Sequence, residues 1–575
     1  FTSSNRADYL IASDINNDGN INVIGGTRDG FARVFDSNGE IIFEFETQDR
    51  IGDSLSHGSG RALDTSDINN DGINEIAVAS YDNHAYVLQV VNCVAEFSDS
   101  TAYNMTWNEV INKWEINKSF LALGTYSYNI TCNKGGYETQ FISSEIKLAE
   151  TKDIYYSVGT NTSDLKSGSP TVTIASGVAD FTVAQADNIG VGDEINYSSG
   201  SIVYISGRVN STRYNVITAV GEEPGDVSAQ TVNHIKRAFN SLDDAVDAND
   251  GGVCANDTNH LGTSDLVSGD YVLNIACYGD GNDTSAVTVD GWTTSANNYI
   301  KIYTPVDSNE VGISQRHIGV WDYSKYSIVT GPTDSISIEV NSTNVIIEGL
   351  QIENTEDSNS AAGIANYNDG VGSVSVLSNI IKHDSSLRSR DGISFYHTDN
   401  YGDIIIVNNI VYSFDGGIYV RGPSSSARAL VYSNTVYNTS YAFRCRGSDC
   451  VWKNNLAFNN SDDYVETNEC HSDSTANAYS EGGDPDDGGI DILSNSSSDL
   501  FVDAANKNFR LISTAAVIGK GANLDTDSDY AFADDIIGTS RPQGNAWDIG
   551  AFEYEKAPSI AFVLPTPDND STQSE

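Results

Sequence analysis

The chain has one methionine, 31 Lys and Arg residues against 80 Asp and Glu, and little sign of helical periodicity in its 575 residues. It also lacks any run of about 18 apolar residues, so no segment reads as a membrane-spanning helix. The shortage of basic residues leaves a formal net charge of −49. That excludes a general nucleic-acid binder, which needs a basic face, and argues against docking on anionic lipid. The seven cysteines form no CxxC pair, which disfavours a zinc ribbon. No signal peptide and no Met stand at the start, FTSSNRADYL; the expectation is a processed terminus or a piece of a longer polypeptide.

What is present is Gly, Asn, Ser, Thr, Asp, Val, Ile and Tyr, the composition of an all-β protein with many turns. The length exceeds what one core usually supports, so several domains are expected. One helix is expected over Val232–Val246, where Ile235, Ala238, Phe239, Leu242 and Val246 recur at spacings of three and four. Cysteine proximity suggests three disulfides and one free thiol: Cys93–Cys132, Cys254–Cys277 and Cys445–Cys450, with Cys450–Cys470 competing for the last. Thirteen N-x-S/T triplets run from Asn104 to Asn569. Together with the cysteines they point to an extracellular, glycosylated surface protein. The acidity reads as a solvated surface in a salty or calcium-containing medium, or as acid for binding divalent cations.

Two segments match at a period of 53 residues: SDINNDGNINVIGGTRDGFARVFD from Ser13 and SDINNDGINEIAVASYDNHAYVLQ from Ser66. Each carries D-x-N-x-D-G before an apolar, alternating strand. Oxygen donors at alternate positions, with glycine at the sixth for a sharp turn, suit a hard cation, and oxygen-only ligands favour Ca2+. The expected ligands are Asp14, Asn16, Asp18, the carbonyl of Asn20, and Asn22 in the first loop. In the second they are Asp67, Asn69, Asp71, the carbonyl of Ile73, and Glu75. The competing reading is an Asx-rich hairpin turn without an ion. An EF-hand is disfavoured: no helices flank the loops, and its twelfth position, which needs a bidentate Glu, is Gly25 in one and Val78 in the other. This stretch, residues 1–92, resembles the FG-GAP/VCBS repeats of integrin-like β-propellers. The resemblance implies calcium-binding blades in an adhesion protein, though a propeller needs about four to eight blades and about two are here.

Residues 93–157 resemble an immunoglobulin-like surface module. GTYSYNITCNKGGYE looks like its final strands, with Tyr126, Tyr128, Ile130 and Cys132 alternating onto one buried face. It reads as a spacer, with carbohydrate binding through Trp107 or Trp114 as the lesser reading.

From about residue 160, short apolar runs are punctuated by Asn and Gly. Five segments align, starting at Asn344, Val374, Ile404, Ala429 and Cys450, with central positions Gly349, Asn379, Asn409, Asn434 and Asn455. Shorter strands begin between them at Gly363, Gly392, Gly417 and Ala442. A repeat of roughly 20–30 residues with two or three strands and an Asn or Gly at the bend describes one coil of a parallel β-helix. Stacked Asn side chains are expected to ladder between coils. Residues 158–555 therefore resemble the right-handed parallel β-helices of the pectate-lyase-like superfamily. The stretch from Ser199 to Val246 looks like an N-terminal cap and SRPQGNAWDIGAFEYE, from Ser540, like a closing segment. The tail, 556–575, looks like a linker to a further module.

The expected fold is thus all-β: a right-handed parallel β-helix preceded by β-propeller-like blades and a small immunoglobulin-like β-sandwich. Lyase chemistry would need a cation or Arg against a uronate carboxylate and a base at the sugar C5. Lys382, His383, Asp384, Arg388, Arg390, Asp391 and His397 gather between two coils, with Arg421 and Arg444 on later ones. No compact acidic constellation beside an Arg motif accompanies them. The expectation is therefore a structural or adhesive cell-surface glycoprotein, binding Ca2+ and associating with itself, with other surface proteins or with glycans. A polysaccharide lyase or glycosidase is the alternative.

Overall fold

The computed structural model describes residues 7–13, 21–27, 31–35, 41–46, 63–66, 75–79, 85–88, 92–108, 113–116, 118, 124–133 and 140–148 of the N-terminal part. It further describes residues 151–555 except 250–252, 332, 334–335, 357–360, 367–372, 384–389, 396–401, 422–426, 447–449, 466–470, 483–488 and 493. The protein is all-β, with 47% strand and 5% helix, and divides into two compact units, Phe1–Glu150 and Thr151–Glu575.

The first unit opens with a four-stranded antiparallel meander, Ala7–Ser13, Asn22–Thr27, Phe31–Phe35 and Ile41–Glu46. A three-stranded one follows: Leu63–Ser66, Glu75–Ala79 and Ala85–Leu88. Ile24, Val34 and Ile76 are buried, as alternation in a strand with one covered face requires. A further four-stranded sheet has the order Gln140–Leu148, Gly124–Asn133, Asn92–Phe97, Ala102–Asn104. Tyr128, Ile130 and Cys132 pack there against Cys93, Ala95, Phe97 and Met105. Cys93 and Cys132 are directly paired across two strands and form a disulfide. The expected 93–157 module is cut short, because Lys152–Val158 belongs instead to a parallel sheet of the second unit.

The second unit is built from three parallel sheets of eight, nine and seven strands. The chain visits them in rotation. One circuit takes Val374–Leu377 in the eight-stranded sheet, Ile380–His383 in the nine-stranded sheet and Asp391–Phe395 in the seven-stranded sheet, then returns at Ile404–Val407. Inward Val, Ile and Phe from all three sheets, such as Val376, Ile381, Ile393 and Phe395, fill one continuous core. Cys445 and Cys450, buried in that core, form a disulfide joining the seven-stranded sheet to the next strand of the eight-stranded one.

The bend between the eight- and nine-stranded sheets takes two residues with separate roles. Gly349, Ser378, Asn408, Ser433 and Asn454 occupy left-handed backbone, at φ of 75°, 55°, 58°, 52° and 57°. The next residue in the later turns is a fully buried Asn: Asn379, Asn409, Asn434, Asn455 and Asn477. Each amide nitrogen donates to the next carboxamide oxygen, at 3.1 Å for Asn379 to Asn409 and 3.0 Å for the three following steps. Each of the first four also donates its backbone N–H to that same oxygen. The expected column is corrected by one residue at its start. Gly349 fills the left-handed position, where glycine is tolerated at no steric cost, and Leu350 stands at the head of the ladder, donating its N–H to Asn379.

Between the first and second strands of the eight-stranded sheet, residues 171–236 form a closed six-stranded barrel with its own core, including Val172, Ile195, Val203 and Ile235. The helix expected over Val232–Val246 does not form as such. Val227–Lys236 is a barrel strand and only Leu242–Val246 is helical. Val232 and Ile235 face the barrel core, whereas Phe239, Leu242 and Val246 plug the end of the parallel stack. Two elements that bury neighbouring faces thus imitate one helical period. The expected Cys254–Cys277 bridge is also overturned: both are buried free thiols, Cys254 in the short helix Val253–Asn256 and Cys277 at the end of the strand Tyr271–Cys277. Cys470 lies outside the described residues.

Candidate functional site

Two of the three outer sheet faces are covered by the chain's own C-terminal segment. On the nine-stranded sheet, Ile380, Ile410, Tyr412, Leu456 and Phe458 pack under Leu500, Phe501, Phe509 and Ile536. On the eight-stranded sheet, Val407, Leu430, Tyr432 and Val451 pack under Leu524 and Trp547. Among the described residues, no such apolar cover lies on the seven-stranded sheet. The longer connections also leave at both of its edges, at 384–390 and 396–403 in one turn, while the opposite bend takes only Ser378 and Asn379.

The outer face of the seven-stranded sheet carries polar side chains in register. One row runs Ala362, Asp391, Gly416, Tyr441 along successive strands. Another runs Ala365, Ser394, Tyr419, Arg444. Arg421 and Arg446 pair in a third position. Their inward neighbours Ile418, Val420, Phe443 and Cys445 lie in the core, so the period of two sends Tyr419, Arg421, Arg444 and Arg446 outward.

The centre of this face is Asp391, which is fully buried. Tyr441 donates its phenolic hydrogen to Asp391 Oδ1 from two strands away. The intervening residue is Gly416, where a Cβ would overlap both the carboxyl and the phenol ring. Glycine is therefore what lets the two side chains meet. Asp391 Oδ2 lies 3.6 Å from Arg390 Nε. Ser394 is buried on the same face. The Arg444 guanidinium sits 5.0 Å from the Tyr419 ring centre and 5.7 Å from that of Tyr441, within reach of a cation–π attraction. Burial raises the Asp391 pKa, against the opposing hydrogen bonds of Tyr441 and Ser394 and the charges of Arg390 and Arg444. This carboxyl keeps its proton to higher pH than an ordinary aspartate. Burial, and then the nearby Asp391, raise the Tyr441 phenol as well.

The expected catalytic candidates separate. Asp391, Arg421 and Arg444 share this sheet, and Arg390 directly precedes its strand Asp391–Phe395. Lys382 faces outward from the nine-stranded sheet, 3.0 Å from Glu353 and 4.3 Å from the Trp321 ring centre. His383 turns inward, its ring against Phe414 and its Nε2 at 3.0 Å from the Glu356 carbonyl. Asp384, Arg388 and His397 lie outside the described residues. Sequence reasoning missed Ser394, Gly416, Tyr419 and Tyr441, although aligning DGISF, GGIYVR and YAFRCR strand on strand places all four.

Of the expected calcium ligands, Asp14, Asn16, Asp18, Asn20, Asp67, Asn69, Asp71 and Ile73 lie outside the described residues. Asn22 is 2% exposed and pairs with Ser13 at the mouth of the first loop. Glu75 pairs with Ser66 at the mouth of the second. Both loops thus close between two adjacent antiparallel strands, with the last expected ligand opposite the residue before the first. Among the described residues no group of three or more His, Cys, Asp or Glu is placed to hold a metal. Trp107 and Trp114 pair across a two-stranded hairpin.

No protein-family model and no curated protein matches the chain. Among solved structures, the crystal structure of BBS1N in complex with ARL6DN, soaked with mercury, is similar at 9% identity over 41% of this chain and 95% of that one. Its TM-score of 0.10 is too low to bear on the fold.

Proposed function

We propose that the chain is an extracellular structural or adhesive surface protein. Its body is a right-handed parallel β-helix, and calcium-binding, FG-GAP/VCBS-like blades and an immunoglobulin-like spacer precede it. The observation that carries this reading is the division of the outer faces. The chain seals two of its three sheets with its own C-terminal segment and plugs one end with Phe239, Leu242 and Val246. On the outer side of the third, Arg421 and Arg444 are partly exposed and Arg446 is exposed. The two disulfides fit an oxidising compartment. The net charge of −49 fits a surface bathed in salt or calcium.

Self-association completes the reading. Among the described residues the antiparallel meanders at 7–46 and 63–88 are fewer than a propeller needs; further blades come from upstream sequence of the same polypeptide or from a neighbouring copy, with which exposed sheet edges can pair. Calcium in the 14–22 and 67–75 loops stiffens that joint. Sedimentation velocity and electron microscopy of purified protein test this. Filaments or sheets that form with calcium and dissolve on chelation are expected. A monodisperse monomer at high concentration with calcium contradicts assembly.

A second reading, a polysaccharide lyase or glycosidase, has one observation in its favour. Asp391, with its raised pKa, accepts a hydrogen bond from Tyr441 on the outer side of the seven-stranded sheet, with Arg444 nearby. A proton-holding carboxyl next to a guanidinium is a usable acid.

A further inference from the structure

The two matching N-terminal segments part company at their ends. In the first, Phe31–Phe35 pairs with a fourth strand, Ile41–Glu46, and Arg33 stands opposite Glu44. One period of 53 residues on, Ala85–Leu88 takes the place of Phe31–Phe35, and Tyr86 that of Arg33. The counterpart of Ile41–Glu46 is then residues 94–99. Residues 94–97 belong instead to Asn92–Phe97, which pairs with Gly124–Asn133 in the next sheet and is bridged to it by Cys93–Cys132. The disulfide thus ties the fourth strand away from its own meander. Among the described residues, Ala85–Leu88 is left as the edge of a three-stranded sheet, paired only with Glu75–Ala79.

A second observation is the make-up of that edge. Free strands template pairing with another chain, and proteins blunt them with charge or keep them very short. Among the edge strands described in the first unit, Ala7–Ser13 has Asp8, Ile41–Glu46 has Glu44 and Glu46, and Leu63–Ser66 has Asp64. Gln140–Leu148 has Glu145 and Lys147. Ala102–Asn104, Thr106–Asn108 and Lys113–Glu115 are three residues each. Ala85–Leu88 is neither charged nor so short, and no Asp, Glu, Lys, Arg or Pro occurs from residue 84 to 95. The one edge without a fourth strand is also the one without a blunting residue.

We propose that Ala85–Leu88 is the edge by which two copies of this chain join, pairing antiparallel with its own counterpart across a two-fold axis. A second copy is the occupant because this junction is self-complementary: the same edge completes both partners, and neither has to release a strand from its own sheet. Two three-stranded sheets become one of six. The inference deepens the self-association reading above, and the choice of occupant rests on it. The vacancy itself rests on the repeat and the disulfide.

Sedimentation velocity of the full chain with calcium, at protein concentrations up to about 0.1 mM, tests the proposal, since so small a junction belongs with weak, transient interfaces. Concentration-dependent association is expected. It tightens as salt rises, because the edge is uncharged while copies of net charge −49 repel one another. Hydrogen exchange needs no variant: the amides of 85–88 are expected to slow with concentration, and those of Ala7–Ser13 to stay as they are. Tyr86→Arg installs the residue that the first repeat has at this position. A two-fold axis normal to the sheet sets position 86 of one copy across from or diagonal to that of the other, so the variant brings like charges together. It is expected to associate about tenfold more weakly than the parent or worse. Tyr86→Glu is expected to do the same, and an equimolar mixture of the two to recover the association that each has lost. The proposal is overturned if the parent stays monomeric, if exchange at 85–88 is independent of concentration, if Tyr86→Arg associates like the parent, or if the mixture recovers nothing. Calcium-dependent filaments that form equally from Tyr86→Arg reject this edge and leave the assembly reading standing. A parent dimer that Tyr86→Arg splits, with no filaments from either, supports the edge and rejects the filament.

Discussion

Replacing Asn434 by alanine is expected to weaken the parallel stack by about 3 kcal/mol. The side chain is fully buried. Its amide donates to the Ile406 carbonyl at 2.8 Å, the Tyr432 carbonyl at 3.0 Å and Asn455 Oδ1 at 3.0 Å. Its oxygen accepts the Asn409 backbone N–H at 2.9 Å and the Asn409 amide at 3.0 Å. After truncation, Asn455 still receives the backbone N–H of residue 434. The Asn409 amide still reaches the Val376 and Val407 carbonyls. The Asn409 N–H, however, loses its acceptor inside the protein. An orphaned buried donor costs about 1–3 kcal/mol, and each satisfied bond lost about 1 kcal/mol net. The small cavity adds to this. Denaturant melts of the full chain read the total, and hydrogen exchange of the peptide spanning Ile404–Tyr412 reads the orphaned amide directly. Asn459→Gly is the control, because Asn459 is exposed and already at φ 58°; it is expected to change stability by under about 0.5 kcal/mol. An Asn434→Ala protein with unchanged midpoint and unchanged protection at Asn409 would refute the ladder as a stabilising element.

Other perturbations follow from the same geometry. Arg237→Met removes the cation between Asp193 and Asp280, bonded at 2.7 Å to each inside the contact of barrel and stack. Two buried carboxylates are left uncompensated, a loss of about 3–5 kcal/mol; a melting temperature within a degree of the parent would contradict this. His317 accepts the Gly319 N–H on Nδ1 and donates through Nε2 to the Ser378 carbonyl, so it is neutral when folded. Burial lowers its pKa from 6.5 to about 3. The unfolded chain therefore binds the extra proton as pH falls through 6.5 toward 3, and stability falls over that window by on the order of 4 kcal/mol. His317→Gln is expected to flatten the slope of melting temperature between pH 7 and 4, and an unaltered slope would reject the assignment. Burial pushes the Cys254 thiol up to about 12 and the Cys277 thiol up as well. Neither is expected to react with a thiol reagent in the folded protein, while both react on unfolding without reductant; a mass spectrum showing them bridged would contradict the free-thiol assignment.

The Asn column was legible because a buried carboxamide recurs at one bend and side chains there face the same interior. Its first member was misplaced by one residue because Gly349, Ser378 and Asn408 share the left-handed backbone role that precedes the ladder position. The helix over Val232–Val246 was misread because Ile235 and Phe239 bury into two different cores. Proximity in sequence paired Cys93 with Cys132 correctly, where the strands align the two residues, and failed for Cys254 and Cys277, whose elements do not. The Asp391–Tyr441 contact spans 50 residues and two strands across Gly416. It becomes readable only when the short strands are stacked in register. Arg390, Asp391 and Arg444 were singled out by residue type, but the same reasoning added Lys382 and His383, which point to another face and to the core.

The most direct test of an adhesive rather than enzymatic surface is incubation of the full chain with polygalacturonate. Polymer length and the appearance of unsaturated or reducing ends are followed over days. The polymer is expected to remain uncut. Turnover that is abolished by Arg390→Ala or Lys382→Ala would contradict the account and establish the enzyme instead.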